Sequence, residues 1–215
     1  MSPARDIIIT GNIASGKTTL AKLLGEQIGN SCYVPEPFEK NPFLPLYLQD
    51  KRRWGFISAT HYFLDYVQVH HDTRLSQTCD YYFVDTGAWT NVLLYGRYLY
   101  HEQVISPDEY QFYQTLCEVI QKAYPTPQPY AVVFVWASPR ACWERMRRRA
   151  WSFQRGVELE YIEKLHHYLE EMKGIVAGQN MAVLELSSQE IDFRQPEGQQ
   201  EVLVKVERLL GPRGL

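Results

Sequence analysis

A glycine-rich segment near the N-terminus constrains the fold of this chain more than any other sequence feature. Residues 11–18 are Gly-Asn-Ile-Ala-Ser-Gly-Lys-Thr, which matches the pattern GxxxxGK[ST]. The segment follows a β-branched run, Arg5–Thr10, and precedes a helical pattern from Lys17 to about Gly29. Strand, loop and helix in this order predict a phosphate-binding loop, in which backbone N–H groups and the helix N-terminus surround phosphate oxygens.

This phosphate loop supplies the candidate nucleotide-binding residues. Lys17 is expected to reach the β- and γ-phosphates, and the hydroxyl of Thr18 is expected to bind Mg²⁺. ATP and Mg²⁺ are therefore the cofactors that the motif predicts. The predicted cofactor-binding residues are Gly11, Asn12, Ile13, Ala14, Ser15, Gly16, Lys17, Thr18 and Thr19.

Short apolar runs alternate with helical patterns along the rest of the chain. This alternation predicts an α/β fold with a five-stranded parallel sheet flanked by helices and right-handed crossovers. The length of 215 residues fits a single domain over 1–215. The runs with strand character are 5–10, 31–35, 81–85, 130–136 and 181–186. The later helical patterns cover 54–75, 90–100, 107–123, 139–150, 158–177 and 196–210, and a break is expected at 41–45.

Composition and charge exclude several classes of protein. The chain has 22 basic and 25 acidic residues, a formal net charge of −3, which argues against a general nucleic-acid binder. Its apolar runs, such as 131–137, are far too short to span a bilayer, and residues 1–6 contain no apolar signal region. We therefore expect a cytoplasmic protein with neither a nucleic-acid nor a membrane partner.

The four cysteines are far apart in the sequence. They form no CxxC pair, so neither a zinc site nor a thioredoxin-like motif is predicted. We expect reduced, buried thiols in a reducing compartment. The cysteines are Cys32, Cys79, Cys117 and Cys142.

Two carboxylates follow predicted strands. Glu36 comes just after the second strand, and Asp85 ends the third. Because the carboxyl ends of parallel strands meet at one edge of a sheet, both are expected near the phosphate loop. Glu36 is the better candidate for the base that accepts a hydroxyl proton, and Asp85 for the carboxylate that holds Mg²⁺ through water. The two roles could be exchanged, and either residue could instead be a solvated carboxylate at a turn.

Five arginines follow the fourth strand, at positions 140, 145, 147, 148 and 149. On a helix Arg145, Arg148 and Arg149 share one face, so their guanidinium groups can together stabilise charge on a transferring phosphoryl group. With the segment that follows, they predict a short arginine-rich lid over about 145–157. The alternatives are a solvated basic helix, with Glu144 paired to Arg148, and a nucleic-acid patch.

Aromatic and histidine side chains crowd the pattern at 54–75. A pocket lined by such side chains would stack a nucleobase, but for most of them we expect positions in the core or in a dimer interface. These residues are Trp54, Phe56, His61, Tyr62, Phe63, Tyr66, His70 and His71.

Several of these segments resemble the deoxynucleoside kinase family, particularly its bacterial deoxyadenosine/deoxyguanosine kinase branch. Residues 11–19 are similar to the family's phosphate loop, and residues 35–46 look like the segment that carries its catalytic glutamate, at Glu36. Residues 142–149 and 156–166 look like its lid and the helix after it. The resemblance implies a P-loop kinase fold. It also implies transfer of the ATP γ-phosphoryl to a nucleoside 5′-hydroxyl, in a homodimer, with Arg145 and Arg149 on the phosphates.

The chain departs from the family pattern where the family contacts its acceptor. The family's third-strand motif is Asp/Glu-Arg-Ser, and here it is Asp85-Thr86-Gly87, without the arginine. Other family side chains also fall on residues of different chemistry. These are a tyrosine at Leu48, a glutamine near Ile57–Ala59, an arginine near Tyr66 or Val67, a lid glutamate at Gln154 and a third lid arginine at Trp151.

These departures leave three functions open. The first is ATP-dependent phosphorylation of a deoxynucleoside, with a slight preference for purines. The second is a kinase for another small-molecule or nucleotide acceptor, and the basic residues Lys51, Arg52 and Arg53 would suit a phosphorylated one. The third is a non-catalytic regulator that binds ATP.

Overall fold

The computed structural model describes residues 4–179 and 181–211. The two ends of the predicted domain, 1–3 and 212–215, lie outside the described residues. Residues 1–3 are also half of the segment 1–6, for which no signal region was predicted. None of the described helices is both long enough and apolar enough to cross a membrane.

A five-stranded parallel sheet forms the centre of the protein, as predicted. The strands lie side by side in the order β2-β3-β1-β4-β5. Each strand end is within one residue of its predicted position. The strands are β1 (Arg5–Gly11), β2 (Ser31–Val34), β3 (Tyr81–Asp85), β4 (Ala131–Trp136) and β5 (Ala182–Ser187).

Helices cover both faces of this sheet. In β1 the side chains of Ile7 and Ile9 pack on one face and that of Ile8 on the other, as the two-residue period of a strand requires. All three are buried, which is why the centre of this strand is apolar. The described α-helices are α1 (Lys17–Gln27), α2 (Leu44–Gln49), α3 (Lys51–Ser76), α4 (Gly87–Thr90), α5 (Arg97–His101), α6 (Pro107–Ala123), α7 (Pro139–Arg149), α8 (Leu159–Gly178) and α9 (Pro196–Leu210).

Three helical predictions differ from the structure. The break expected at 41–45 is wrong in part, because α2 begins at Leu44 with a proline in its first turn, where a missing N–H costs little. Helix α3 begins at Lys51 rather than at 54, because the Asp50 carboxylate caps it by accepting a hydrogen bond from the Arg53 N–H (3.1 Å). The stretch predicted at 90–100 consists of α4, a π-helical turn over Asn91–Gly96 and α5.

The expectation of four reduced thiols is wrong for two of the cysteines. Cys32 on β2 and Cys79, just before β3, form a disulfide with their Cα atoms 6.0 Å apart. Parallel pairing of these strands places Cys32 opposite Tyr82, which brings Cys79 near it across 47 residues of sequence. Cys117 and Cys142 are free and buried.

Candidate active site

A cavity of about 910 Å³ lies at the carboxyl edge of the sheet. Its volume is within the range of small-molecule sites, roughly 300–1,000 Å³. The phosphate loop forms one wall, with Arg145, Arg148 and Arg149 of α7 beside it. Glu36 and side chains from α2, α3 and the π-helical turn line the same cavity. The predicted loop, base and lid residues therefore meet in one space.

The phosphate loop has a backbone that only glycine permits at two positions. A Cβ on Gly11 would collide with the Val135 carbonyl oxygen and lie 2.7 Å from Ser15 Oγ, and Gly16 has a φ of 111°. Residues 13–19 line the cavity. Gly11 and Asn12 lie outside the described cavity wall and shape the loop.

Contacts within the loop and with α8 hold the loop in place. The Asn12 side chain donates to the Ile162 carbonyl (2.8 Å) and accepts from the Ile13 N–H (2.8 Å). The Lys17 ammonium is almost wholly buried and donates to the Asn12 carbonyl (2.9 Å). The loop is thus formed with its lysine already among the groups that would face phosphate oxygens.

Asp85 and Thr18 form a direct contact next to the loop. The Thr18 hydroxyl donates to Asp85 Oδ2 (2.6 Å), and the carboxylate is fully buried. Its other oxygen, Oδ1, has no hydrogen-bond partner within residues 4–179 and 181–211. Burial has the largest effect on the pKa of Asp85 and the charge of Glu36 the second largest, and together they raise it to about 7. Lys17 and the hydrogen bond from Thr18 act in the opposite direction.

These oxygen ligands fit Mg²⁺. The described residues contain no cluster of three or more His, Cys, Asp or Glu side chains that could enclose a metal ion. Mg²⁺ seldom needs such a cluster, since it keeps several waters and binds one or two carboxylates together with substrate phosphates. A hydroxyl beside a buried carboxylate with an unpartnered oxygen provides that kind of site.

Glu36 lines the same cavity as the phosphate loop. It follows β2 and lies between two prolines, and its Oε1 accepts a hydrogen bond from the Tyr66 hydroxyl (3.0 Å). The carboxylate therefore stands at the cavity wall with one oxygen engaged, rather than at a solvated turn.

Two of the predicted lid arginines, Arg145 and Arg149, have different partners. Arg145 donates to Ser188 Oγ (2.7 Å), to the Ser188 carbonyl (2.9 Å) and to the Ser15 carbonyl of the phosphate loop (3.4 Å). Arg149 lies over the Trp151 ring, 3.6 Å from its centroid, and donates to Gln154 Oε1 (3.1 Å). Burial lowers the pKa of Arg149, against the opposite effect of the Glu36 charge.

Two further arginines of α7 do not reach the described cavity wall. Arg140 pairs with Glu144 (3.1 Å). The alternative of a solvated helix had paired Glu144 with Arg148 instead. Arg147 lies over the Trp143 ring. Arg148 itself lines the cavity. The three arginines predicted to share one face of α7 therefore do so toward the phosphate loop.

Tyrosines line the acceptor side of the cavity. Tyr62 and Tyr66 of α3 stack with their ring centroids 5.8 Å apart, whereas Phe63 of the same helix is in the core. Burial raises the pKa of all these hydroxyls above their ordinary value, so they remain protonated at neutral pH. The tyrosines are Tyr47, Tyr62, Tyr66, Tyr95 and Tyr161.

Most of the positions that depart from the family pattern line this cavity, whereas Thr86 lies outside the described cavity wall. Trp151 stacks on Phe38 with ring centroids 4.6 Å apart, and this contact joins the predicted lid to the segment that carries Glu36. Thr86, in the position of the missing arginine, is buried with a φ of 68°. The other departing residues in the cavity wall are Leu48, Ser58, Ala59, Tyr66 and Gln154.

Two parts of the cavity carry no signal that we recognise in the sequence. Residues 188–194, between β5 and α9, line the nucleotide side, and Asn91 lines the acceptor side. The first could have been found from the sheet alone, because loops that follow parallel strands lie at the carboxyl edge. Asn91 faces the cavity from the π-helical turn, and its Oδ1 accepts from the Tyr113 hydroxyl (2.6 Å).

Comparison with known proteins agrees with this geometry. A mitochondrial deoxyguanosine kinase of Xenopus laevis is 25% identical over 182 residues, which cover 74% of this chain and 69% of the relative. A deoxyguanosine kinase of Bacillus subtilis is 27% identical, over 77% of this chain and 76% of the relative. A deoxyadenosine kinase of Lactobacillus acidophilus is 24% identical, over 69% and 68%. The sequence model of the deoxynucleoside kinase family matches residues 7–210, and the chain therefore belongs to that family.

Proposed function

We propose that this protein transfers the γ-phosphoryl group of ATP to the 5′-hydroxyl of a deoxynucleoside. One observation carries the proposal: the phosphate loop, three arginines of α7 and Glu36 line a single cavity. A nucleoside with its 5′-hydroxyl at Glu36 would face the γ-phosphate directly. The purine kinases among the relatives support a slight preference for purine deoxynucleosides.

Each of the predicted site residues has a role in this transfer. Glu36 accepts the 5′-hydroxyl proton as the oxygen forms its bond to the γ-phosphorus and the bond to ADP breaks. Lys17, Arg145 and Arg149 stabilise the charge on the transferring group. Thr18 and Asp85 would hold Mg²⁺, which neutralises charge on the β- and γ-phosphates when bound.

A neutral acceptor suits the cavity better than a phosphorylated one. The tyrosine hydroxyls on the acceptor side are uncharged hydrogen-bonding groups. The basic residues that would suit a phosphate, 51–53, lie outside the cavity wall that the described residues form. The Lys51 ammonium instead lies 3.9 Å from the centroid of the Tyr161 ring and donates to the Tyr98 hydroxyl (3.5 Å).

ADP release from Mg·ATP, measured against a panel of acceptors, tests this function. The panel contains deoxyribonucleosides, ribonucleosides and nucleoside monophosphates. We expect release with one or more deoxynucleosides. Release with monophosphates alone would favour a nucleotide kinase, and ATP binding without release on any acceptor would favour a non-catalytic regulator.

The raised pKa of Asp85 predicts that Mg²⁺ binding depends on pH. Below pH 7 the buried carboxyl is mostly protonated, and it must lose its proton to hold the ion. From pH 8 to pH 6 we expect the affinity for Mg²⁺ to fall by about tenfold through this group. Calorimetric titration of Mg²⁺ into the protein with a non-hydrolysable ATP analogue measures this change.

The variant Asp85→Asn is the matched control for that titration. It keeps the protonation of the nucleotide itself and removes the titrating side chain. We expect its Mg²⁺ affinity to be weaker than that of the wild type at pH 8 and to depend less on pH. The same pH dependence in both proteins would contradict the assignment of Asp85.

We also propose that the protein is a homodimer. Helices α3 and α6 pack side by side, and each presents two large apolar side chains seven residues apart, hence on one face. These side chains are between 40% and 59% exposed, and such a patch indicates an interface. The patch consists of Ile57, Leu64, Phe112 and Val119.

Charge introduced into this apolar patch should separate the two copies. We expect Leu64→Glu and Phe112→Glu to sediment as monomers at concentrations at which the wild type has twice the mass of the chain. Leu75→Glu is the control, because Leu75 is 74% exposed at the end of α3, outside the patch. A monomeric wild type, or monomers produced by Leu75→Glu alone, would contradict this interface.

We propose a cytoplasmic location, where ATP and nucleosides are available. In such a reducing compartment, cellular thiols would act to reduce the disulfide between Cys32 and Cys79.

A further inference from the structure

We propose that Tyr66 is a positioning residue for Glu36. Its hydroxyl would fix the direction of the Glu36 carboxylate, so that the free oxygen faces the acceptor. The inference rests on the proposed function, in which Glu36 is the base. It adds a second residue to the reaction, one that acts through Glu36 and need not touch the transferring group.

The contact is a hydrogen bond whose donor is held by buried, packed side chains. The Tyr66 hydroxyl donates to Glu36 Oε1 over 3.0 Å, and the Tyr66 side chain is only 3% exposed. The ring stacks on Tyr62 and packs within the core cluster beneath α3. A ring held in this way cannot follow the carboxylate if it turns, so the hydrogen bond fixes the carboxylate and not the reverse.

Within residues 4–179 and 181–211, the Glu36 side chain makes no other hydrogen bond and no ion pair. It lies in a segment without regular structure, between β2 and the turn at Phe38–Lys40, and a glutamate side chain has three rotatable bonds. The Tyr66 contact engages Oε1 and leaves Oε2 for the hydroxyl of the acceptor. General-base catalysis requires an oxygen within hydrogen-bond reach of the proton that it accepts.

The charge state of Tyr66 also suits this role. Burial has the largest effect on the pKa of Tyr66 and the charge of Glu36 the second largest, and both raise it well above its ordinary value. The hydroxyl therefore remains a donor at neutral pH. A neutral donor orients the carboxylate and leaves its negative charge in place.

The variant Tyr66→Phe removes the hydroxyl and keeps the ring and its packing. We expect kcat to fall by about 10- to 100-fold, since small misplacement of a catalytic group costs rates of this order. The KM for ATP should not change, because Tyr66 lies on the acceptor side of the cavity. Tyr82→Phe is the matched control: Tyr82 is equally buried, donates to the Gln77 carbonyl (2.6 Å) and lies outside the described cavity wall.

A double-mutant cycle separates positioning from a structural role. If Tyr66 acts through Glu36, then Tyr66→Phe lowers kcat in the wild type and has no further effect in Glu36→Gln. An equal loss in both backgrounds, no loss in either, or an equal loss in Tyr82→Phe would overturn the inference. A wild type without activity, or a Glu36→Gln variant as active as the wild type, would instead overturn the proposed function on which it rests.

Discussion

Replacement of Lys17 by alanine is expected to abolish turnover on every acceptor. The Lys17 ammonium lies inside the phosphate loop and has a loop carbonyl as its partner, so a bound γ-phosphate would become its strongest partner. Loss of a cation that stabilises a transferring phosphoryl group costs about 10³-fold or more in kcat. Measurement of kcat with saturating Mg·ATP and acceptor determines the loss.

Lys205→Ala is the control for this variant. It also removes a lysine, but from an ion pair with Glu201 (2.8 Å) on α9. We expect its activity to equal that of the wild type, and we expect both variants to unfold at the wild-type temperature. Substantial activity in a folded Lys17→Ala protein would mean that the loop does not hold the reacting phosphate.

Replacement of Glu36 by glutamine is expected to slow turnover by about 10²–10⁴-fold, the usual contribution of a general base. Glutamine keeps the shape of the side chain and can still accept the hydrogen bond of Tyr66. The loss should therefore appear in kcat, with ATP binding preserved. Steady-state kinetics, together with direct titration of ATP, distinguish these two effects.

Glu39→Gln is the matched control for Glu36→Gln. Glu39 is exposed and lies three residues further along the same segment, so it tests whether loss of any carboxylate there matters. We expect no change in its kcat. Near-normal activity of Glu36→Gln, combined with inactivity of Asp85→Asn, would transfer the role of the base to Asp85.

Much of the fold could be predicted because its three central strands, β1, β3 and β4, are almost wholly buried. A run such as Tyr81–Asp85 contains only residues that suit a central strand until its final carboxylate, and its limits were predicted without error. Helix starts were harder to place. Asp50 begins α3 with a local side-chain contact that periodicity does not reveal. Periodicity also does not reveal that Gly96, at the end of the π-helical turn, lies so close to Tyr113 that a Cβ would be 3.0 Å from its ring.

The positions of the site residues could be predicted where topology alone fixes them. The phosphate loop and Glu36 both follow parallel strands, so they meet at the carboxyl edge of the sheet. The contact between Tyr66 and Glu36 could not be predicted. Helix α3 is apolar on several faces, so its sequence does not show which side faces the cavity. The Cys32–Cys79 disulfide was missed because the pairing of two strands, rather than sequence spacing, brings these cysteines together.

The central claim is transfer of a phosphoryl group to a nucleoside 5′-hydroxyl, and product identification tests it most directly. The wild type and Lys17→Ala are incubated with Mg·ATP and each deoxynucleoside, and the products are analysed by mass spectrometry. Deoxynucleosides that lack the 5′-hydroxyl serve as matched non-acceptors. We expect a 5′-monophosphate from at least one deoxynucleoside with the wild type only, and none from its 5′-deoxy analogue. Absence of any nucleoside monophosphate, from a wild-type protein that binds ATP, would contradict the account.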